Sequence, residues 1–250
     1  MSWRIAAASV PGTSHLAAGS ACQDSNLVQT STDANGAAVL IACAADGAGS
    51  AVRGKAGADL ACTAWIEAAG VSAQSGAELD KTWIQFVKTA LAERSTADVA
   101  LPSDYACTFL GAYLSETSAM FVQVGDGAIV VASHNVPGDY EVIFWPDQGE
   151  YANTTRFVTE PDLERNVRMI EYFVPIDAVA LFTDGLQRLV LTYETKTAYK
   201  PFFESVFGHL GTENPYDSAA SSKALAEFLA SDGVNQRTDD DKTLVLAARV

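Results

Sequence analysis

The chain of 250 residues lacks any long hydrophobic run. Its longest uninterrupted apolar stretch, residues 37–45, spans nine residues, whereas a membrane-spanning helix needs about 20. The N-terminus has no basic start followed by an apolar stretch of about 7–15 residues, the pattern of a secretory signal. We therefore expect no membrane segment and a cytoplasmic location.

Cysteine and histidine are scarce and scattered. The four cysteines form no C-x-x-C pair, so we expect reduced, mostly buried thiols rather than a disulfide framework or a zinc knuckle. The three histidines, His15, His134 and His209, lie far apart in the sequence, and no H-E-x-x-H motif occurs. A zinc site built from histidine is therefore not expected.

Basic residues are also few. The chain has 16 Lys and Arg against 31 Asp and Glu, a formal net charge of −15 at pH 7. So acidic a surface repels phosphate backbones and anionic lipid, which argues against nucleic-acid and membrane partners. It is compatible with metal cations or basic partners. The apolar content of 48% is ample for a packed core.

The order of predicted elements indicates the fold class. Periodicity predicts strands at residues 3–9, 27–29, 37–45, 106–115, 118–124, 128–133, 140–145, 167–174, 178–183 and 243–248. It predicts helices at residues 51–69, 76–94, 199–209 and 218–231. This order favours antiparallel sheets with helices packed outside them, not a doubly wound sheet. No repeat or linker is visible, so we expect a single domain over residues 1–250.

Three details of these elements are also expected. The strand at 37–45 is almost wholly apolar, which predicts burial on both faces. Ser75 and Glu78 predict a capping box at the start of the second helix. Asp217 is expected to cap the last helix, whose core-facing residues are predicted to be Leu225, Phe228 and Leu229.

Aspartates fall repeatedly at strand ends. Asp46, Asp126 and Asp184 each follow an apolar strand and precede a glycine, while Asp24 and Asp240 each stand just before a strand. An acid at a buried strand end is costly unless it is paired or bound to a metal. A following glycine lets the backbone come close and can present a carbonyl as a ligand.

Oxygen ligands without His or Cys select the hard cations Mg²⁺, Mn²⁺ or Ca²⁺. Two such ions about 3.5–4 Å apart can activate a water and clamp a phosphoryl group for in-line attack. The alternative for any single Asp-Gly pair is an ordinary turn. Three such pairs at strand ends, together with Asp240-Asp241, favour converging carboxylates.

Five short motifs occur in an order that resembles the metal-dependent protein phosphatases of the 2C family. They are Gln23-Asp24, Ala-Asp-Gly-Ala-Gly-Ser at 45–50, Gly-Asp-Gly at 125–127, Thr-Asp-Gly-Leu at 183–186 and Asp-Asp-Lys-Thr at 240–243. The resemblance covers nearly the whole chain and suits a bacterial-type, single-domain member. It implies an α+β fold, a four-layer α-β-β-α sandwich of two central antiparallel sheets flanked by helices.

The resemblance also implies roles for the aspartates as metal ligands. Asp46 would bridge two metals, and Gly47 would give its carbonyl to one of them. Asp24 would act mainly through metal-bound water. The nucleophile would be a bridging water, so no phospho-enzyme is expected.

Three further acids complete the implied metal site. Asp184 and Asp240 would each bind one of the two metals directly. Asp126 matches the acid of a third, weaker metal site, which Asp184 would share. The ions would be Mg²⁺ or Mn²⁺, two in number with a possible third.

The activity implied by the resemblance is that of a protein serine/threonine phosphatase. The partner would be a phosphorylated protein substrate, with a cognate serine/threonine kinase acting on the same protein. Two alternatives stay open at this point: a catalytically silent module with a binding or regulatory role, and an esterase acting on small phosphoesters.

The sequence departs from the family pattern at the phosphate-binding position. The family often has an arginine five residues before the early Asp, where this chain has Gly19. We predict that His15 replaces it as a phosphate ligand or as the acid that protonates the leaving group. The rival interpretation is a loop histidine with a structural hydrogen bond. Arg53 and Lys55 are alternative phosphate contacts, or else solvated charges at a helix start.

Three further positions bear on the site. Ala48 stands where eukaryotic members have a histidine proposed as general acid. Three aspartates stand in a row at 239–241, and the position of Thr243 in the motif favours Asp240 as the ligand. We expect Asp239 to lie in a solvated turn and Asp241 to order the loop. Residues 146–162 are polar and correspond to a mobile flap of the family, so they select substrate or form an ordinary loop.

Overall fold

The computed structural model describes residues 2–133, 138–146, 155–212 and 216–250. In chain order the strands and helices are β1 (Trp3–Val10), α1 (Thr13–Ala18), β2 (Ser25–Thr32), β3 (Ala38–Ala45), α2 (Gly54–Ser75), α3 (Leu79–Ala97), β4 (Phe109–Leu114), β5 (Ala119–Val124), β6 (Ala128–Ser133), β7 (Glu141–Val142), α4 (Leu163–Asn166), β8 (Arg168–Tyr172), β9 (Ile176–Phe182), α5 (Gln187–Val190), β10 (Leu191–Thr192), β11 (Thr197–Ala198), α6 (Lys200–Thr212), α7 (Ser218–Leu229), α8 (Asp232–Asn235) and β12 (Lys242–Arg249). Short 3₁₀ turns occupy Pro102–Tyr105 and Asp184–Leu186.

The strands form two five-stranded sheets. One has the order β1-β12-β9-β6-β7, the other the order β2-β3-β4-β5-β8, and β10 pairs with β11 alone. Every pairing is antiparallel. The predicted antiparallel architecture is therefore confirmed.

Apolar side chains divide into three layers that define the sandwich. The middle cluster draws on both sheets and includes Leu40, Phe121 and Leu181, so it fills the space between the sheets. An outer cluster joins α2 and α3 to the sheet of β2–β5 and β8. The other joins α6 and α7 to the sheet that contains β1 and β12. Helices thus cover both outer faces, which confirms the predicted α-β-β-α arrangement.

The apolar run at 37–45 forms β3, a strand buried on both faces as predicted. All of its residues except the first are buried. One face meets the middle layer through Leu40, and the other meets the helices through Ile41. A strand covered on both faces has no solvent side, so polar alternation is lost.

Two local predictions are wrong. Ser75 is not an N-cap: it is the last residue of α2, its hydroxyl donates to the Val71 carbonyl, and α3 begins only at Leu79. Phe228 does not face the core, because it is 42% exposed while Leu229 is fully buried.

Other local predictions are confirmed or need adjusted bounds. The Asp217 carboxylate caps α7, accepting from the amides of Ala219 and Ala220. The strand expected at 140–145 shrinks to β7, Glu141–Val142, whereas that at 27–29 extends to the eight residues of β2. The four cysteines are free and all but Cys22 are buried. Across the described part of the chain, every helix is too short or too polar to cross a bilayer.

Candidate metal-dependent active site

Strand register brings four of the predicted aspartates together. Ser25 pairs with Ala45, so Asp24 and Asp46 stand at the same end of the β2–β3 pair. Phe182 pairs with Leu244 in the β9–β12 pair. This pairing brings Asp184, which follows β9, close to Asp240, which precedes β12.

A hydrogen bond joins these two sheet ends. The Thr183 hydroxyl donates to Asp24 Oδ2 at 2.8 Å, and the amide of Thr243 donates to the Thr183 hydroxyl oxygen at 3.1 Å. Thr183 directly follows β9, whereas Asp24 directly precedes β2 in the opposite sheet. The acids of both sheets therefore share one site.

The carboxylates in this site oppose each other's ionisation. Burial, followed by the charges of Asp24 and Asp184, raises the pKa of Asp46 far above its usual range. Burial and then the charges of Asp126 and Asp240 raise the pKa of Asp184 to about 7. Burial is also the main reason that the pKa of Asp24 is raised. Such a group is stabilised by positive charge placed among its oxygens.

Asp126 belongs to the same group. Its charge adds to the raised pKa of Asp184. The Thr155 hydroxyl donates to Asp126 Oδ2 at 2.8 Å, and the side-chain amide of Gln187 donates to the Asp126 carbonyl oxygen. Gln187 in turn accepts from the Tyr193 hydroxyl at 2.7 Å. The sequence indicated Asp126 but none of these neighbours.

Two glycines let the backbone approach closely around the acids. A Cβ atom at Gly47 would lie 2.4 Å from the carbonyl carbon of Gly54, at the start of α2. A Cβ atom at Gly185 would lie 2.0 Å from the carbonyl oxygen of Asp241. Any larger residue would therefore push apart the segments that carry the aspartates.

Asp241 ties the N-terminal loop to the last strand. It is buried, its Oδ1 accepts from the Gly12 amide and from His15 Nδ1, both at 2.7 Å, and its Oδ2 accepts from the Gln23 amide at 2.5 Å. Asp241 thus orders the loop, as predicted. No pattern in the sequence indicated that Asp241 pairs with His15.

The other candidate phosphate contacts are engaged elsewhere. Arg53 Nε lies 3.6 Å from Asp98 Oδ2, and Lys55 pairs with Asp59 one turn along α2. Both cations therefore have acidic partners around the start of that helix. Gly19, in place of the family arginine, ends α1 in a left-handed conformation.

Some predicted features fall partly outside the described residues. Of the loop predicted at 146–162, residues 147–154 lie outside them, and so does His134. Thr155 and Phe157 lie near the start of the described part of that loop, residues 155–162. Thr155 contacts Asp126, while Phe157 packs against a small cluster that includes Ala48.

Two observations fit a divalent cation at the acidic group. Asp24 Oδ1 is buried and has no hydrogen-bond partner among the described residues. The neighbouring carboxylates destabilise one another's charge, and their oxygens are the donors that hard cations prefer. Within those same ranges no three His, Cys, Asp or Glu side chains are grouped closely enough to hold a metal ion. The oxygen donors present suit a metal in their chemistry, and their side chains would have to move closer together to hold it.

The fold and the acidic site define a metal-dependent phosphatase architecture. The family model described as protein phosphatase 2C matches residues 11–230. The chain therefore belongs to the protein phosphatase 2C family, as the motifs indicated.

Individual relatives agree with this membership. The chain is 34% identical over 252 residues to serine/threonine-protein phosphatase 3 of Escherichia coli (strain K12), covering 99% of this chain and 98% of that protein.

Solved structures share the fold. The catalytic domain of the serine/threonine protein phosphatase PstP, in complex with two manganese ions, superposes with a TM-score of 0.65 at 17% identity, covering 98% of this chain and 97% of that one. PppA, a regulatory component of the T6SS in Pseudomonas aeruginosa, gives a TM-score of 0.62 at 16% identity, covering 99% and 98%.

Proposed function

We propose that the chain is a metal-dependent protein serine/threonine phosphatase that hydrolyses phosphoserine and phosphothreonine. One observation carries this proposal: buried Asp24 and half-buried Asp46 and Asp184, from three separate segments, form one group whose charges repel each other. Membership of the protein phosphatase 2C family, and 34% identity to a serine/threonine-protein phosphatase over the whole chain, support it. A silent binding module has no need for so costly a group of acids.

The metal ligands in this proposal are the acids predicted from the sequence. Asp46 and the Gly47 carbonyl, with Asp184 and Asp240, would hold two divalent ions, and Asp24 would act through bound water. Bound there, the ions supply Lewis acidity that favours attack of water on the phosphoryl group. Phosphatases of this family depend on metal; we propose Mg²⁺ or Mn²⁺ as the ions.

A third ion is proposed beside Asp126. The charge of its carboxylate raises the pKa of Asp184, so the two side chains lie in one electrostatic neighbourhood, and we propose that they share this ion. Thr155 would hold the Asp126 carboxylate in place through its 2.8 Å hydrogen bond.

His15 is proposed to donate a proton to the oxygen of the leaving serine or threonine. Its Nδ1 is held by Asp241 Oδ1, which fixes that nitrogen as the donor and leaves Nε2 for the substrate. The side chain is 24% exposed, whereas that of Asp241 is only 2% exposed. A protonated Nε2 could then supply the proton that an alkoxide leaving group needs.

The remaining predictions extend the proposal to the whole protein. We propose one catalytic domain over residues 1–250, a phosphorylated protein as substrate and a cognate serine/threonine kinase as the opposing enzyme. The cytoplasmic location expected from the sequence stays a prediction.

A substrate panel tests the proposed reaction. Phosphate release would be measured from phosphothreonine, phosphoserine and phosphotyrosine peptides and from small phosphate monoesters, each with Mn²⁺, with Mg²⁺ and with chelator. We expect metal-dependent release from the first two peptides at the highest kcat/KM. Fastest turnover of the small esters would contradict a protein substrate, and metal binding without any turnover would contradict an enzyme.

A further inference from the structure

A polar cavity adjoins the acidic site. It has a volume of about 360 Å³ and is lined by residues that include Asp184, Asp240, Arg188, Arg237 and Tyr193. Two of the proposed metal ligands thus form part of its wall. The volume falls within the range of about 300–1,000 Å³ that ligand pockets occupy, so there is room beside the scissile phosphate for another side chain.

Both arginines of this cavity stand on well-anchored backbone. Arg188 lies in α5. The preceding residue, Gln187, donates its side-chain amide to the Asp126 carbonyl, and other residues of α5 belong to the apolar cluster that joins α6 and α7 to their sheet. Arg237 follows α8, and its amide donates to the carbonyl of buried Val234 at 2.9 Å. Their positions are therefore set by the same segments that place the acids.

Neither guanidinium is neutralised by a neighbour. Within the described ranges, the side chains of Arg188 and Arg237 make no hydrogen bond or ion pair with another residue. This contrasts with Arg53 and Arg94, both of which pair with Asp98. Both side chains are exposed, so their guanidinium groups are open to a ligand although the chain carries a net charge of −15.

The charge balance of the cavity depends on what its acids bind. Its wall carries Asp184, Asp239 and Asp240 against two arginines. When Asp184 and Asp240 are used to hold divalent cations, only Asp239 is left to oppose Arg188 and Arg237. The cavity then presents net positive charge beside the scissile phosphate, which attracts anions.

We propose that Arg188 and Arg237 form a subsite for a second anionic group of the substrate, next to the phosphoserine or phosphothreonine that is hydrolysed. This inference rests on the proposed phosphatase function and deepens it, because it names the substrate class as phosphopeptides with a neighbouring acid. The shared chemistry is a carboxylate or phosphate anion bound by guanidinium groups. Arg188 and Arg237 are specificity residues in this proposal and take no part in the bond-breaking step.

Matched peptides test the subsite. Each carries one phosphothreonine, flanked by alanine, by aspartate or by a non-hydrolysable phosphonate analogue of phosphoserine, with the flanking anion moved stepwise to either side. We expect wild type to favour the best anionic peptide by about fivefold in kcat/KM, mainly through KM. The aspartate and phosphonate arms show which anion the subsite prefers.

The variants Arg188→Gln and Arg237→Gln should each lower that preference to about twofold or less. Turnover of p-nitrophenyl phosphate, which has no second anion, should stay unchanged in both. Lys223→Gln removes the same charge from a side chain on α7 that is 79% exposed, and should leave the preference intact.

A binding measurement provides a readout that is independent of turnover. Calorimetry with peptides whose phosphothreonine is itself replaced by a phosphonate should show the same preference, and its loss in both arginine variants. Equal handling of anionic and alanine peptides by wild type would overturn the subsite, and so would equal loss of p-nitrophenyl phosphate turnover in the variants. Metal-dependent turnover would still support the phosphatase function in either case, whereas its absence from every substrate would overturn that function itself.

Discussion

The imidazole Nδ1 of His15 lies 2.7 Å from the Oδ1 of Asp241, although 226 residues separate them in the sequence. Asp241 is buried and also accepts from the amides of Gly12 and Gln23, so its orientation is fixed. The imidazole ring therefore stands in a set position, near enough to Asp240 to act on the pKa of that carboxyl group. This pairing gives His15 a specific chemical role that can be tested.

Replacing His15 with alanine should slow the hydrolysis of alkyl phosphates by about 100-fold, because an alkoxide leaves poorly without a proton. Aryl phosphates with good leaving groups should lose much less. The measurement is kcat over a series of esters with increasing leaving-group pKa, with His209→Ala as the control. An equal loss across the series would show that His15 binds phosphate and does not donate the proton.

Asp241→Ala should both destabilise the protein and disturb His15. The change leaves the amides of Gly12 and Gln23 without their carboxylate partner, which should lower the free energy of unfolding by about 1–3 kcal/mol. Urea denaturation measures this loss, with the exposed Asp239 changed to alanine as the control. The variant should also share the leaving-group dependence of His15→Ala. Unchanged stability together with a normal ester series would contradict the assigned role of Asp241.

Thr183→Val should weaken metal binding without removing a metal ligand. It deletes the hydroxyl that donates to Asp24 Oδ2 at 2.8 Å, and groups that orient metal ligands contribute about 10- to 100-fold in affinity. Calorimetric titration with Mn²⁺ measures the change. Thr96→Val, which removes an exposed hydroxyl that donates to the Ala92 carbonyl on α3, is the matched control. Equal Mn²⁺ affinity in wild type and both variants would count against Thr183 as an orienting residue.

The stability of the metal-free protein should fall as pH rises from about 4 to about 7. Burial and the neighbouring carboxylates raise the folded-state pKa of Asp184 from its ordinary value of 3.8 to about 7. The native state therefore binds more protons than the unfolded state across this window, and stability declines with pH. Below pH 3.8 the Asp184 carboxyl group is mostly protonated in both the native and the unfolded state, so it no longer lowers the stability.

Thermal unfolding at pH 5 and pH 8, with and without Mn²⁺, measures this effect. Added Mn²⁺ should raise Tm more at pH 8, where the carboxylates are ionised and ready to bind. In Asp184→Asn the decline with pH should be smaller. A metal-free Tm that rises between the two pH values, or a Mn²⁺ effect that is largest at pH 5, would contradict the repulsion among the acids.

The fold was predictable wherever a local pattern and its tertiary setting agree. The apolar run that became β3 is buried on both sides, so its sequence alone indicated a central strand. That Asp46, Asp184 and Asp240 lie near one another was predictable, because an acid beside a buried strand needs a partner or a metal; their role as metal ligands stays a prediction. Local capping chemistry failed at Ser75, because α2 continues through that residue and α3 starts later.

Relationships between distant segments were not predictable from spacing. No sequence pattern near His15 predicts its contact with Asp241. Likewise, no pattern near Arg188 predicts that Arg237 lines the same cavity. Phe228 was assigned to the core from helical period, yet the helix turns it towards a partly open groove beside Phe202. Such contacts depend on how whole elements pack, which periodicity within one element does not contain.

The central claim is that Asp46 organises a metal site on which phosphate hydrolysis depends. The most direct measurement is phosphate release from a phosphothreonine peptide with and without Mn²⁺, in wild type, in Asp46→Asn and in the exposed-acid control Asp232→Asn. We predict Mn²⁺-dependent release that is lost by at least about 1,000-fold in Asp46→Asn and kept in Asp232→Asn. Near-normal, metal-dependent release from Asp46→Asn would contradict the assignment of the site.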